Sequence, residues 1–171
     1  MLCTPNLQLY LLRSTAVMLA LCDLEAGEPA AAFHRIEPLL DASMLGVLLF
    51  GCDLPISAGL ALIGIGRSDE GLHLLMSTGE CCAERGDYGG AAELFATAAL
   101  HRSSVHAAQR LLHVVGHVEA PIADAYRPVA DAVIDRLTAS REIAAGAFRS
   151  LGLLPFAARL SAQAADRKSV V

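Results

Sequence analysis

Three glycine-centred junctions constrain this chain more than any other feature. At Gly27-Glu28, Gly66-Arg67 and Gly86-Asp87 a stretch of helical periodicity stops, and a start rich in small residues follows. The recurring device is a glycine turn joining two short amphipathic helices. The pattern therefore reads as short helices joined by tight turns. No single helix pair can bury its apolar face, and stacked antiparallel pairs are the architecture that solves this. The junctions stand 39 and then 20 residues apart, so they form no strict 34-residue repeat.

Periodicity places the remaining helices. Residues from Leu7 to Ala26 read as the first. Pro29 sits in the first turn of the second, which carries Ala31, Phe33 and Ile36 towards Leu40, with Pro38 ending or bending it. Met44 to Gly51 and Ile56 to Ile65 read as two short buried helices joined at Asp53-Leu54-Pro55. Ser68 suits a helix N-cap, with Asp69 and Glu70 favouring the positive end of the helix dipole, and that helix runs to Arg85. Asp87 caps the next, which places Leu94, Phe95, Ala98 and Ala99 on one face. Ser103 or Ser104 opens another, with Ala108, Leu111, Leu112 and Val115 in register. Glu119-Ala120-Pro121 starts a helix through Ile122, Val129, Val133 and Leu137, kinked at Pro128. Two last helices, Ser140 to Leu151 and Leu153 to Arg167, hinge at Gly152.

Composition agrees with an all-α class. Ala and Leu, both strong helix formers, supply about a third of the 171 residues, aromatics only 5%, and Trp is absent. Apolar residues reach 54% and charged residues 18%, which excludes a disordered chain. The net charge of -5 argues against a nucleic-acid binder, which needs a basic footprint for phosphate. The charge is uneven: four basic and ten acidic residues from Met1 to Arg85, nine and eight from Gly86 to Val171. Solvated charged faces account for this, with docking of different neighbours at the two ends as the sharper alternative. The five cysteines, Cys3, Cys22, Cys52, Cys81 and Cys82, are odd in number and lack CxxC spacing. They read as buried reduced thiols in a cytoplasmic protein rather than as a disulfide framework or zinc site. No secretory signal is evident at the N-terminus, and Asp53 and Pro55 interrupt the most membrane-like window, Met44 to Gly66.

Several segments, taken in order, carry a family resemblance. GRSDEGLHLL, AERGDYGGAAELFATAAL, HVEAPIADAYRPVADAV and finally ASREIAAGAFRSLGLLPFAARLSAQAADRK resemble the helical repeat region of large ATP-binding LuxR-type transcriptional regulators. The matching positions in the last segment are Phe148, Leu151, Gly152, Ala157, Ala158 and Ala162 to Ala165. The resemblance covers Ala58 to Lys168, and more weakly the N-terminal pair. It implies a tetratricopeptide-like solenoid, a right-handed array of antiparallel helix pairs. Residues 1–171 are expected to form a single helical-repeat domain, with weaker pairs over 6–54 and family-like repeats over 56–168. Two departures matter. No GK[ST] phosphate loop occurs and Lys168 is the sole lysine, and no DNA-binding helix-turn-helix follows the last repeat. ATP and DNA binding therefore do not carry over, and the expected role is the sensor and coupling region, as a fragment or a split gene product.

Candidate chemistry is thin. His113 and His117 share a helix face in HVVGH, with His101 and His106 nearby, but no third ligand joins them, and partly exposed or hydrogen-bonded histidines of an ordinary helix are the preferred reading. GIGRSDEG places Asp69 where a nucleotide loop needs its third glycine, and reads as a junction between helices. Asp131 and Asp135, flanked by Arg127 and Arg136, read as a solvated face. No strained nucleophile elbow occurs. Catalytic, cofactor-binding and metal-ligating residues are accordingly expected to be none, and the chain is not expected to be an enzyme.

The expected function is an interaction or ligand-sensing module, with a protein partner or self-association and a possible small-molecule effector. Neither direct nucleic-acid binding nor membrane association is expected. A stand-alone adaptor or oligomerisation protein and a small-molecule-binding bundle are the alternatives. The residues expected to matter are packing residues: Leu94, Phe95, Leu111, Leu112, Phe148 and Phe156. A solenoid segment without polar end caps should leave its apolar excess on the terminal helices, near Leu7 to Leu24 and Leu153 to Ala165.

Overall fold

The computed structural model describes residues 5–40, 51–102, 104–119, 121–135, 138–151, 157–158, 160–162 and 165. Among them every regular element is α-helical: α1 (Pro5–Glu25), α2 (Pro29–Leu40), α3 (Asp53–Gly64), α4 (Ser68–Glu84), α5 (Tyr88–Arg102), α6 (Val105–Val115), α7 (Ile122–Ile134) and α8 (Thr138–Ser150). None is long and apolar enough to cross a membrane. The expected helix at 44–51 lies almost wholly outside the described residues, as do Phe156 and the Gly152 hinge. Of the expected last helix, 157–158, 160–162 and 165 are described, and all six are helical. The chain divides into two compact units, Met1–Thr78 and Gly79–Val171.

The three junctions share one geometry. Gly27, Gly66 and Gly86 adopt φ of 81°, 88° and 80°, a region that disfavours any residue with a Cβ. After each glycine, the next N–H reaches back to the carbonyl five residues earlier: Glu28 to Asp23 (2.8 Å), Arg67 to Leu62 (2.9 Å), Asp87 to Cys82 (2.9 Å). This is the Schellman closure, which satisfies carbonyls left over at a helix end. That same residue then accepts the first bond of the following helix, from Ala32, Gly71 and Ala91.

A common register follows from the shared turn. Seven residues before each turn glycine stands a small residue (Ala20, Gly59, Gly79), and nine after it a large apolar one (Ile36, Leu75, Phe95). A Cβ on Gly59 would lie 2.6 Å from Leu75 Cγ, and one on Gly79 2.7 Å from Phe95 Cε1. Ala20 and Ile36 are both fully buried in one core cluster. The small residue five after each glycine (Ala32, Gly71, Ala91) is buried too, and a Cβ on Gly71 would meet the Gly59 carbonyl at 2.5 Å. Small residues here let two helix backbones approach closely, while the large one fills the space beside them.

In the first unit α1, α2 and α3 pack on one another. Their core is Val17, Ala20, Ala32, Ile36, Leu54, Ala58 and Ala61, flanked by Leu21, Leu24, Phe33, Leu39, Leu40 and Leu74. The buried Ser57 hydroxyl donates to Leu54 O, so it brings no unsatisfied donor into this apolar helix. In the second unit α5 packs on α6 and α7, α6 on α7, and α7 on α8. Every residue of α5 from Leu94 to Leu100 is buried, which makes it the central helix of this unit. Leu111, Val114, Val129 and Phe148 complete its core, with the Tyr126 and Phe148 rings edge to face at 5.4 Å. Of the expected packing residues Leu94, Phe95, Leu111 and Phe148 are fully buried and Leu112 is half-buried.

Several boundaries differ from expectation. Asp53-Leu54-Pro55 is the first turn of α3 rather than a linker, and Ile56 N–H makes the first bond, to Cys52 O at 2.9 Å. Proline fits there because the N–H groups of a first turn have no intrahelical partner anyway. Arg67, not Ser68, occupies the cap position before α4. Asp87 caps α5 as expected, its Oδ1 accepting from Gly90 N–H at 3.0 Å, and Ser104 caps α6 by accepting from Ala107 N–H at 3.3 Å. α7 runs through Pro128 as one helix.

Exposed large apolar side chains among the described residues are Leu11, Leu12, Met18 and Leu19 on α1, and Val105, Ile122 and Ile143 in the second unit. The expected excess is thus found on the N-terminal helix. Of the other expected stretch, 153–156, 159 and 163–164 lie outside the described residues; the described Ala157 and Leu160 are buried. Cys22, Cys52, Cys81 and Cys82 form no disulfide, and against expectation Cys22 is exposed and Cys81 half-buried.

Candidate functional site

Helical spacing builds one groove in the first unit. On α2, Phe33 and Leu40 are seven apart; on α4, Glu70, His73, Leu74 and Ser77 follow at three, four and seven. Each set lies along one face of its helix. Together with Leu62 of α3 and Arg67 of the turn they line an open groove of about 410 Å³. That volume is within the range of small-ligand sites. Phe33, Leu40, Leu62 and Leu74 supply an apolar floor, and Arg67, Glu70, His73 and Ser77 a polar rim.

Arg67 organises the rim. Its Nε donates to Glu70 Oε1 at 2.8 Å and one terminal nitrogen to Oε2 at 2.6 Å, a two-pronged pair. The guanidinium carbon stands 5.4 Å from the centre of the Phe33 ring, within cation–π range. The hydrogen bond from Arg67 holds the Glu70 carboxyl below its ordinary range, and the bond to Glu70 raises Arg67 in turn. Both side chains are about half exposed, so solvent screens the pair and leaves it able to exchange partners. His73 is exposed beside them, and the Ser77 hydroxyl donates to Leu74 O at 3.3 Å.

The second unit holds a different polar arrangement. Arg110 Nε of α6 donates to Glu80 Oε1 at 2.6 Å, a second guanidinium nitrogen bonds Oε2, and Arg110 lies 5.7 Å from the Phe95 ring centre. The bond to Glu80 is the main cause that raises Arg110. This arrangement ties one helix to another.

His106, His113 and His117 are exposed and His101 is half-buried. The His117 ring stacks on Tyr88 at 4.5 Å, and His113 stands edge-on to His117 at 6.0 Å. Residues 64–71, flagged as a glycine-rich loop, form the junction of α3 and α4, with a helix before it. Asp131 is half-buried and Asp135 exposed on α7, while Arg136 lies outside the described residues.

None of the groove residues was singled out as a site from sequence. The available signal was three polar side chains, Glu70, His73 and Ser77, sharing one helix face with Leu74. Comparison with protein-family models, curated proteins and solved structures finds no match to this chain.

Proposed function

We propose that the chain is a tetratricopeptide-like array of helix hairpins acting as an interaction or sensing module, and that it serves a LuxR-type transcriptional regulator. The observation that carries the first part is the register shared by Gly27, Gly66 and Gly86, which repeats one hairpin design three times. The second part rests on the order of the family-like segments from Ala58 to Lys168. The groove beneath Arg67 is the effector's seat, and its apolar floor and charged rim suit a small amphipathic molecule carrying an anionic group. Such a ligand would take the guanidinium in place of Glu70. Because the groove is lined from α2, α3 and α4, a ligand that prefers one spacing of these helices shifts the population towards it.

Fluorescence titration with 1-anilinonaphthalene-8-sulfonate, an apolar anion, tests the groove. Saturable binding that weakens roughly tenfold or more in Leu74→Glu and in Arg67→Ala supports the reading. Binding unchanged in both variants removes the groove from it. The regulator assignment has its own test in the coding sequence on either side. A phosphate-loop domain upstream or a helix-turn-helix downstream supports it, and flanking sequence with neither overturns it.

A further inference from the structure

Two carboxylates face Arg67, one from each of two helices that wall the groove. Glu70 of α4 accepts from its Nε at 2.8 Å and from a terminal nitrogen at 2.6 Å, so both oxygens are taken. Glu37 of α2 is the second. It stands four residues after Phe33 and three before Leu40, on the helix face that those two present to the groove. The bond to Glu70 is the main cause that raises Arg67, and the Glu37 carboxylate raises it further through space. Among the described residues that line the groove, Arg67 is the only arginine or lysine. One guanidinium thus stands against two carboxylates, with Glu37 exposed and the Arg67–Glu70 pair about half exposed.

We propose that the groove's ligand is a zwitterion with an apolar side chain, the chemistry of an apolar α-amino acid. The inference rests on the reading that an anionic group takes Arg67 in place of Glu70. Once that happens, Glu70 loses its cation on a rim that already holds Glu37. A ligand with only an anion leaves three negative charges around one guanidinium, and like-charge repulsion works against it. A ligand with only a cation finds both Glu70 oxygens taken and meets the positive charge of Arg67 beside them. A zwitterion exchanges one ion pair for two. Its carboxylate bonds Arg67, and its ammonium bonds the released Glu70, with Glu37 adding attraction. The rim also sets the spacing. Arg67 and Glu70 meet at hydrogen-bond distance, so the ligand's two charges must lie equally close, as they do on the single α-carbon of an amino acid. The side chain then lies on Phe33, Leu40, Leu62 and Leu74, where about 410 Å³ admits a branched or an aromatic one.

Titration calorimetry of the full chain with matched triplets tests the assignment. The first triplet is L-leucine, 4-methylpentanoate, which lacks the ammonium, and 3-methylbutylamine, which lacks the carboxylate. The second is L-phenylalanine, 3-phenylpropanoate and 2-phenylethylamine. In at least one triplet the amino acid is expected to bind about fivefold or more tighter than either analogue, with the margin shrinking in added salt. Glu70→Gln is expected to reverse the order of amino acid and acid: the acid gains because its competitor for Arg67 is gone, and the amino acid loses the partner of its ammonium. Glu70 is half exposed, so helical circular dichroism should be unchanged in that variant. An acid that binds as tightly as its amino acid in both triplets overturns the proposal and leaves the anion seat standing. An amine that does so overturns both, since Arg67 then contributes nothing. If no compound binds at about 10 mM while 1-anilinonaphthalene-8-sulfonate still occupies the groove, the proposal falls alone; if the dye fails as well, the groove reading falls with it.

Discussion

Phe95 lies on the bare backbone of Gly79: a Cβ at that glycine would stand 2.7 Å from the ring's Cε1 and 3.0 Å from Cδ1 and Cζ. The contact sets how closely the last turns of α4 approach α5, and Phe95 is fully buried, so the ring has little room to move. Gly79→Ala should destabilise the fold by about 1–2 kcal/mol, because overpacking outweighs the gain in helix propensity. Urea denaturation measures the change. Gly146 in α8 is the control, since nothing lies within 4 Å of its would-be Cβ. There the same substitution should stabilise by about 0.5–1 kcal/mol. Equal effects at the two sites would dismiss the close approach.

The turn glycines separate backbone strain from packing. A Cβ on Gly66 or Gly86 would meet nothing within 4 Å, yet both hold φ near +80° to +90°. Gly66→Ala and Gly86→Ala should each destabilise by about 1–2 kcal/mol through backbone conformation alone. Asparagine at either position should recover part of the loss, because it tolerates the left-handed region better than alanine. A marked inequality between the two sites would contradict their shared geometry.

The Arg67–Glu70 pair sets a pH dependence whose sign is fixed by the direction of the shift. Glu70 titrates below its ordinary range because Arg67 hydrogen-bonds its charged form. Its stabilising contribution is therefore present above the pH where an unfolded glutamate titrates, and is lost as pH falls through the lowered value. Carboxyl-detected NMR titration should show the Glu70 midpoint rising towards the ordinary range in Arg67→Ala. A midpoint indifferent to that substitution would remove Arg67 as the cause.

Glu80 and Arg110 should be coupled by about 1 kcal/mol in a double-mutant cycle, reduced by added salt because both side chains are partly exposed. Arg110→Ala should be the costlier single substitution by roughly 0.5–1 kcal/mol, since the guanidinium also lies over Phe95. Thermal or urea unfolding of the four species supplies the cycle, and additive single effects would refute the coupling.

Local chemistry was readable where one residue decides one backbone event. The turn glycines, the Asp87 cap and the Ser104 cap stand where their side chains and dihedral preferences place them. Pro55 fits a linker as well as a first turn in the sequence, because a proline marks a helix start and a break with the same letter. Its neighbours Leu54 and Ile56 are buried against the core, and that burial makes it a first turn. The groove was not legible. Phe33, Leu62, Arg67 and His73 belong to three helices and a turn, and no spacing along the chain announces that they share a cavity.

The sequence by itself determined that the chain is helical, where most helices turn, and that apolar surface exceeds what those helices hide from one another. Those properties follow from propensity, dihedral preference and composition, which act over a few residues. Only the tertiary structure decided which faces meet. α1 is apolar almost all round, so its periodicity does not select a side. Val17 and Ala20 went inwards because the small Ala20 allows the close approach that Ile36 completes, and Leu11, Leu12, Met18 and Leu19 were left outside. Close packing chooses among faces that hydrophobicity ranks alike.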